Sequence, residues 1–327
     1  MKLTSRDYIK GILGRDIGIL SKAITLIESE KEEHQAIARE ILTECVKVKS
    51  NTIRVGITGV PGAGKSTFIE ALGSYLVKEK GYTIAVLAID PSSKRTKGSI
   101  LGDKTRMSNL STMKDVYIRP TASSGVLGGV AKTTRETLIL CEAAGFEIIL
   151  IETVGVGQSE IEVKEMVDFF LLLAIAGAGD ELQGIKRGIM EMVDAIVVNK
   201  ADGLNIENSE KTVREIENAL HLFPLGNSTW KPQVITCSSI ENKGIETVWE
   251  IIENYATLAR SNGYFQENRK KQDIQVFQNF LSKKILQFFL ENKNTRLLIN
   301  QYEKRIADNA EDPYTAAYKI FNQIVKE

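Results

Sequence analysis

The segment at positions 59–67 combines glycines, a lysine and hydroxyl side chains at the spacing of a phosphate-binding loop. Its glycines would let backbone N–H groups approach an anion closely, and a helix beginning after them would direct its positive N-terminus to the same point. Lys65 is placed to reach the β- and γ-phosphates, and Ser66 to ligate Mg²⁺. The sequence therefore predicts a nucleoside triphosphate site, to which we assign Gly59, Val60, Pro61, Gly62, Ala63, Gly64, Lys65, Ser66 and Thr67.

A second polar motif, Asn199-Lys200-Ala201-Asp202, follows a short apolar run and could recognise a base. Asp202 can accept hydrogen bonds from N1–H and the N2 amino group of guanine, Asn199 can contact the N7 and O6 region, and the aliphatic part of Lys200 can cover the base plane. Adenine lacks the paired donors and would leave Asp202 desolvated and unpaired. A polar turn after a strand can also be merely structural. Downstream of a phosphate loop, however, the motif favours guanine, and we add to this site the residues after the last predicted strand, Cys237, Ser238 and Ser239.

Three carboxylates are candidates for the metal side of the site. Asp90 and Glu152 stand at the ends of apolar runs, and Asp103 lies in the segment Gly-Asp-Lys-Thr-Arg-Met. Mg²⁺ prefers oxygen ligands and retains waters, so we predict that these carboxylates join Ser66 around it. Any one of them could instead cap a helix or a surface turn. Gly155 could offer its backbone N–H to the γ-phosphate and so report whether that phosphate is present.

Seven short apolar runs, separated by stretches with helical periodicity, must position these residues. Runs that are apolar throughout are typical of strands buried on both faces of a parallel sheet, and the helices between them indicate repeated βαβ units. Ligands bind at the carboxyl ends of such strands. We predict a P-loop NTPase three-layer α/β domain with a mostly parallel sheet over residues 51–255, with strands at 53–58, 83–89, 116–118, 148–153, 169–175, 195–198 and 234–236.

Helical patterns flank this domain on both sides. Residues 1–50 form a predicted N-terminal helical extension, and no Gly- or Pro-rich linker follows it, so it should pack on the core. Residues 256–327 form a predicted C-terminal helical arm. Its apolar residues step by three and four, as in Ile274, Phe277 and Leu281. This face either packs against its own domain or forms an oligomer interface.

Composition excludes several classes of partner. The 327 residues carry 42 basic and 42 acidic side chains, so no net charge attracts nucleic acid. No apolar run approaches the ~20 residues that cross a bilayer, and the start of the chain lacks the apolar region of a secretory signal. The cysteines and histidines are isolated from one another: Cys45, Cys141, Cys237, His34 and His221. We therefore expect a cytoplasmic protein with reduced thiols, no nucleic-acid or membrane partner and no histidine-rich metal site.

Seven motifs occur along the chain in the order GVPGAGKST (59–67), DPSS (90–93), SILGDKTRM (99–107), SSGVLGGVA (123–131), ETVGVGQSE (152–160), AGAGDELQGIKRG (176–188) and NKAD (199–202). In this order they resemble the MeaB/ArgK family, the GTPase chaperones of methylmalonyl-CoA mutase, over nearly the whole chain. The resemblance implies GTP or GDP with Mg²⁺ as ligands. It also implies a homodimer that uses the C-terminal arm, and service to an adenosylcobalamin-dependent acyl-CoA mutase, whose cofactor loading is gated and which is protected from inactivation.

The resemblance also implies roles for individual residues. Lys65, Asp103 and Glu152 take catalytic, magnesium and switch roles, while Gln183 and Lys186 fall in an additional switch loop that responds to the mutase. Glu152 stands where many GTPases carry aspartate, and no glutamine immediately follows Gly155. We therefore expect slow intrinsic hydrolysis that rises when a partner rearranges the switches.

Two other functions are compatible with a guanine-nucleotide site. A GTPase for nickel or cobalamin metal insertion would need soft or imidazole ligands, of which the chain has 3 Cys and 2 His. A P-loop kinase that phosphorylates amino-acid-transport binding proteins would need an acceptor site and a base beside the γ-phosphate. Free phosphate as the product would indicate hydrolysis, and a phosphoprotein would indicate the kinase.

Overall fold

The computed structural model describes residues 3–29, 31–90, 107–122, 129–153, 159–177, 187–221 and 228–324. The chain divides into two compact units, Met1–Asn268 and Arg269–Glu327. The boundary predicted after residue 255 falls within a helix, Ile245–Ser261, whose Tyr255 and Ala256 are buried in a core of the first unit.

A parallel sheet organises the first unit. Its strands are β1 (Ile53–Gly59), β2 (Ile84–Asp90), β3 (Val116–Ala122), β4 (Ile148–Glu152), β5 (Phe169–Ile175), β6 (Ala195–Asn199) and β7 (Gln233–Thr236). They form one sheet in the order β3-β2-β4-β1-β5-β6-β7, and each pair of neighbours is parallel. The predicted parallel α/β architecture is confirmed. β3 continues beyond the predicted run at 116–118 through a polar stretch with Pro120, which a strand at the edge of a sheet tolerates.

Helices cover both faces of this sheet. They are α1 (Ser5–Leu13), α2 (Ile17–Ile27), α3 (Glu32–Cys45), α4 (Lys65–Lys78), α5 (Gly129–Ala143), α6 (Ser159–Lys164), α7 (Arg187–Met190), α8 (Ile206–Leu220) and α9 (Ile245–Ser261). One core joins the sheet to α4 and α9 and contains Phe68 and Trp249. The other joins the sheet to α2, α3 and α5 and contains Ile24 and Cys141. Successive strand residues serve the two cores in turn, because side chains alternate across a strand.

The N-terminal helices share their core with the sheet. Ile12, Leu20 and Ile24 are fully buried there. Arg15, in the turn between α1 and α2, donates from Nε to the carbonyl oxygen of Ala144 at 3.0 Å and from Nη2 to that of Gly145 at 2.6 Å. This part of the chain is therefore fastened to the turn that follows α5.

The second unit is helical. The helix α10 (Tyr264–Glu291) runs into it from the first unit, and α11 (Lys293–Ala307) and α12 (Pro313–Ile324) follow. Glu311, between α11 and α12, pairs with Arg305 near the end of α11 at 3.1 Å and with Lys319 in the middle of α12 at 2.9 Å, which links the two helices. Many large apolar side chains of the second unit are exposed: Ile274, Phe277, Phe280, Leu281, Ile285, Leu286, Phe288, Phe289, Leu290, Leu297, Tyr314, Tyr318 and Phe321. No helix in the described part of the chain is both long and apolar enough to cross a membrane.

Candidate nucleotide-binding site

The phosphate loop connects the carboxyl end of β1 to the start of α4 in the middle of the sheet. A Cβ at Gly59 would lie 2.3 Å from the carbonyl oxygen of Leu173 on β5, so a side chain does not fit there. Gly62 and Gly64 have φ of 83° and 89°, in the left-handed region that favours glycine. The strand–loop–helix context that the sequence predicts for this motif is therefore present. Ala63 is buried within the loop, and Thr67 is exposed in the first turn of α4.

Lys65 is buried at the base of this loop. Its Nζ donates to the carbonyl oxygens of Gly59 at 2.6 Å and Val60 at 3.1 Å. Burial lowers the pKa of Lys65, and the negative charges of Glu152 and then Glu160 act in the opposite direction. The two carboxylates thus offset part of the cost of burying the charged amine, in a loop shaped for an anion.

Ser66 and Glu152 form an oxygen pair beside Lys65. The Ser66 hydroxyl donates to Oε1 of Glu152 at 2.9 Å. Glu152 ends β4, and Asp90 ends β2, the neighbour of β4 in the sheet, so the two parallel strands end on the same side of the sheet. In the described residues no group of three or more Asp, Glu, His or Cys could hold a metal ion by itself. The oxygen pair fits Mg²⁺, which usually takes one or two protein ligands together with phosphate oxygens and waters.

A buried group that we did not assign from the sequence lies beneath the loop. Thr153 donates its hydroxyl to Oγ1 of Thr58 at 2.9 Å, and Thr58 donates to Oε1 of Glu160 at 3.5 Å. Thr58, Thr153 and Glu160 are 0%, 1% and 4% exposed. The available sequence signal is a threonine in a strand that is otherwise largely buried, because a buried hydroxyl needs a partner.

Asn199 joins the phosphate loop to the predicted base loop. Its Nδ2 donates to the carbonyl oxygen of Ala63 at 2.9 Å, and its Oδ1 accepts from Oγ of Ser239 at 2.8 Å and from the backbone N of Ser239 at 3.2 Å. The side chain is buried. One of its two amide hydrogens is donated to Ala63, so the other can serve the N7 region of a base.

Asp202 is oriented from the neighbouring loop. Oγ of Ser238 donates to Oδ2 of Asp202 at 2.7 Å, and a carboxylate has enough lone pairs to accept from a base as well. Lys200 has φ of 61° and is exposed, while its carbonyl oxygen accepts from Nδ2 of Asn205 at 2.9 Å. The motif is therefore a turn that directs Asp202 and Lys200 outward and Asn199 inward.

Cys237 contributes its backbone to this loop. Its N–H donates to the carbonyl oxygen of Val198 at 2.9 Å, and its own carbonyl oxygen accepts from the N–H of Ala201 at 3.0 Å. Its thiol is buried, and burial raises the pKa of Cys237 to about 12. The structure thus holds the predicted base-side residues together, with Cys237 supporting them from the core.

Several predicted site residues lie outside the described residues: Asp103, Gly155, Gln183 and Lys186. For Asp90 the structure describes the backbone at the end of β2 but not the side chain. The site as described therefore consists of the phosphate loop, the Ser66–Glu152 pair and the base-side loops.

Similar proteins agree with this arrangement. A family model described as methylmalonyl Co-A mutase-associated GTPase MeaB matches residues 20–294. The GTPase ArgK of Escherichia coli strain K12 is 44% identical over 317 residues, which cover 97% of this chain and 96% of that protein. The methylmalonic aciduria type A homolog, mitochondrial, of Mus musculus is 41% identical over 94% of this chain and 76% of its own length. A solved structure titled LAO/AO transport system kinase is 35% identical, with a TM-score of 0.80 over 98% of this chain and 97% of that one.

Proposed function

The chain belongs to the MeaB family of methylmalonyl-CoA mutase-associated GTPases, and from that premise we propose that it is the GTP-hydrolysing chaperone of an adenosylcobalamin-dependent acyl-CoA mutase. In this role it gates the loading of adenosylcobalamin and protects or reactivates the mutase. The name of the mouse relative, which refers to methylmalonic aciduria, supports a methylmalonyl-CoA mutase-like client. We place this activity in the cytoplasm.

The observation that carries the proposal is the position of Asn199 between the two halves of the site. One side chain contacts both Ala63 in the phosphate loop and Ser239 beside Asp202. A nucleotide that places its phosphates at the first loop therefore presents its base to the second. Asp202 offers two acceptor oxygens to the paired donors of guanine, which supports GTP over ATP.

The chain's own residues account for phosphate binding and charge stabilisation. Lys65 would exchange its contacts with Gly59 and Val60 for the β- and γ-phosphate oxygens, to which it offers charge-assisted hydrogen bonds. Ser66 and Glu152, with Asp90 and Asp103, would hold Mg²⁺, which when bound neutralises charge on the phosphates. Glu152 ends β4 at the position where many GTPases carry aspartate. We therefore propose that the chain alone hydrolyses GTP slowly.

We propose that the mutase supplies what the chain alone lacks. Gln183 and Lys186, from the segment that follows β5, would approach the nucleotide in the complex and stabilise developing charge on the transferred phosphoryl group. Gly155 would bind the γ-phosphate through its backbone N–H. Stimulation by the client would then connect hydrolysis to cofactor loading.

A homodimer through the C-terminal helices completes the proposal. On α10 the side chains of Phe277 and Phe288 are 64% and 72% exposed, and they belong to a long apolar set on the same helix. Exposed apolar area of this kind marks an interaction surface. A second copy of the chain is the partner that the family membership supports.

The kinase function is the second candidate, because the solved relative at 35% identity is titled a transport system kinase. Metal insertion is disfavoured by the thiols: all three are buried, and burial raises the pKa of Cys45 to about 11 and that of Cys237 to about 12. Such thiols remain protonated at neutral pH, and the thiolate is the form that binds metal.

Incubation of the purified chain with γ-labelled GTP, alone and with a methylmalonyl-CoA mutase, tests these functions. Our proposal expects label released as free phosphate, faster with the mutase, together with nucleotide-dependent reactivation of inactivated mutase. Label transferred to a binding protein of amino-acid transport would instead favour the kinase. Equal turnover of ATP and GTP would contradict the base-site assignment.

A further inference from the structure

The buried hydroxyl chain beneath the phosphate loop has a defined direction. Thr153 donates to Thr58 at 2.9 Å, and Thr58 in turn donates to the Glu160 carboxylate at 3.5 Å, the outer limit of a hydrogen bond. Only an acceptor can end such a chain, and an ionised carboxylate is acceptor-only. With Glu160 ionised, each hydroxyl in the series therefore donates toward the carboxylate.

These hydrogen-bonded hydroxyls connect β1, which leads into the phosphate loop, to β4, which ends at Glu152. Thr58 is the residue before Gly59 on β1, and Thr153 is the first residue after β4. The backbone N–H of Thr153 also donates to the carbonyl oxygen of Ile57 at 3.0 Å, which continues the ladder between the two strands. The end of β4 is thus held to β1 by both a backbone and a side-chain hydrogen bond.

The residue fixed by this connection is Glu152. It immediately precedes Thr153, and its Oε1 accepts from Ser66 at 2.9 Å. A shift at Thr153 would therefore move the Glu152 carboxylate relative to the Ser66 hydroxyl. Glu160, at the far end of the chain, is a buried negative charge near Lys65, whose charged form it favours.

We propose that Thr58 is a positioning residue for the magnesium side of the site, acting through Thr153 to hold Glu152 against Ser66. The inference rests on the proposed nucleotide-binding function. Thr58 itself need not touch nucleotide or metal, and its hydroxyl sets the distance between two oxygens that do. The effect of its loss should therefore appear in the dependence of nucleotide binding on Mg²⁺.

The test compares Thr58→Val, which keeps shape and removes the hydroxyl, with Thr58→Ser, which keeps the hydroxyl. Titration of a fluorescent GTP analogue is performed with EDTA and with Mg²⁺. We expect Thr58→Val to bind metal-free nucleotide nearly as wild type does, but to lose about three- to tenfold of the affinity that Mg²⁺ adds, the effect of the one hydrogen bond with Thr153 that positions Glu152. Thr58→Ser should retain the Mg²⁺-dependent gain.

Thr52→Val is the matched control, because Thr52 is also buried, at 2% exposure. Its hydroxyl donates to the carbonyl oxygen of Phe146 at 2.6 Å, before the start of β1 and so at the other end of that strand from the phosphate loop. The control substitution should lower thermal stability without changing the Mg²⁺-dependent gain. Thr153→Val removes the same hydrogen bond from its other end and provides a second variant if Thr58→Val does not fold. The double variant should lose no more of this gain than Thr58→Val does, since both substitutions delete the hydrogen bond between Thr58 and Thr153.

The outcomes separate the two levels of the proposal. A wild-type chain that binds no GTP, or gains no affinity from Mg²⁺, would contradict the proposed function itself. A wild-type chain with a normal gain that Thr58→Val leaves unchanged would overturn the inference alone. Additive losses in the Thr58→Val, Thr153→Val double variant would also overturn it.

Discussion

At the scale of single residues, the site depends on charges that are held away from water. Lys65 is 8% exposed, and its charged form is disfavoured by burial but favoured by Glu152 and Glu160. Its Nζ donates to the carbonyl oxygens of Gly59 and Val60 within the phosphate loop. The phosphate loop therefore surrounds a buried cation.

Removal of this cation gives the first prediction. Lys65→Ala should weaken GTP binding about ten- to a hundredfold, because it deletes a charge-assisted contact of about 1.5–3 kcal/mol. Isothermal calorimetry measures the affinity, and Lys78→Ala at the exposed end of α4 is the control. An unchanged affinity would show that the phosphates do not contact Lys65.

The lowered pKa of Lys65 has a consequence for pH dependence. Bound phosphates would raise this pKa again, so nucleotide binding takes up a proton between the pKa of the free protein and that of the complex. GTP affinity should accordingly fall as pH rises through the pKa of the free protein. Lys65→Ala should abolish that part of the pH profile, and a profile that the substitution leaves intact would assign the proton to another group.

Asp202 gives a prediction about the base. Asp202→Asn should weaken GTP binding about ten- to a hundredfold through the loss of charged hydrogen bonds, and should favour xanthosine triphosphate, which carries a carbonyl in place of the N2 amino group. Ser238→Ala keeps the Asp202 carboxylate and removes the hydroxyl that orients it, which also accepts from the backbone N–H of Glu241. It should weaken GTP binding modestly and leave ATP binding nearly unchanged, so guanine remains preferred by a smaller margin. Competition titrations with GTP, ATP and xanthosine triphosphate distinguish the two variants.

At the scale of elements, the strands were largely predictable and their order was not. The run at 169–175 coincides with β5, because a strand buried on both faces is apolar at every position. The order of the strands depends on pairing between distant segments, as when Ile53 meets Ile148, and no local pattern encodes it. Similarly, the polar types at Thr58 and Asn199 were visible in the sequence, but their partners became known only from the packed loops.

The close approach of the phosphate loop to the base loop can be tested at α4, which has a glycine with positive φ near each end. A Cβ at Gly64 would lie 2.8 Å from Nδ2 of Asn199, whereas a Cβ at Gly81 would meet nothing within 4 Å. Both Ala substitutions should lower the free energy of unfolding by about 1–2 kcal/mol through backbone strain. Only Gly64→Ala should also weaken GTP binding. Equal GTP affinities in both variants would show that the Asn199 contact is dispensable.

At the scale of the whole molecule, substitutions in the second unit can test the proposed dimer. Phe277→Asp combined with Phe288→Asp should convert a dimer into monomers that still bind GTP, because charge cannot be buried unpaired in an apolar interface. Gln278→Asp with Ser282→Asp adds the same charge at exposed polar positions of the same helix and should leave the dimer intact. Light scattering decides the matter, and a monomeric wild-type chain would remove the proposal.

The last prediction concerns the acceleration of GTP hydrolysis by the mutase. Lys186→Ala should leave GTP affinity and basal hydrolysis nearly intact but abolish acceleration by the mutase; a tenfold acceleration corresponds to only about 1.4 kcal/mol. Lys211→Ala, at a lysine on α8 whose side chain is 73% exposed, is the matched control. Turnover is measured with and without mutase. Full acceleration of the Lys186→Ala variant would exclude this residue as the coupling element.

The central place of β1 also bears on how the chain is made. β1 carries the phosphate loop, yet its neighbours β4 and β5 come much later in the sequence: Ile53 pairs with Ile148, and Val55 with Phe169. At a synthesis rate of about 5–20 residues per second, β1 emerges from the ribosome several seconds before either partner. During that interval both edges of an apolar strand are unpaired, which is the situation that chaperones protect. The site also needs Asn199 and Ser239, so it can be complete only after β7 has been translated, and GTP cannot stabilise shorter nascent chains through the whole site.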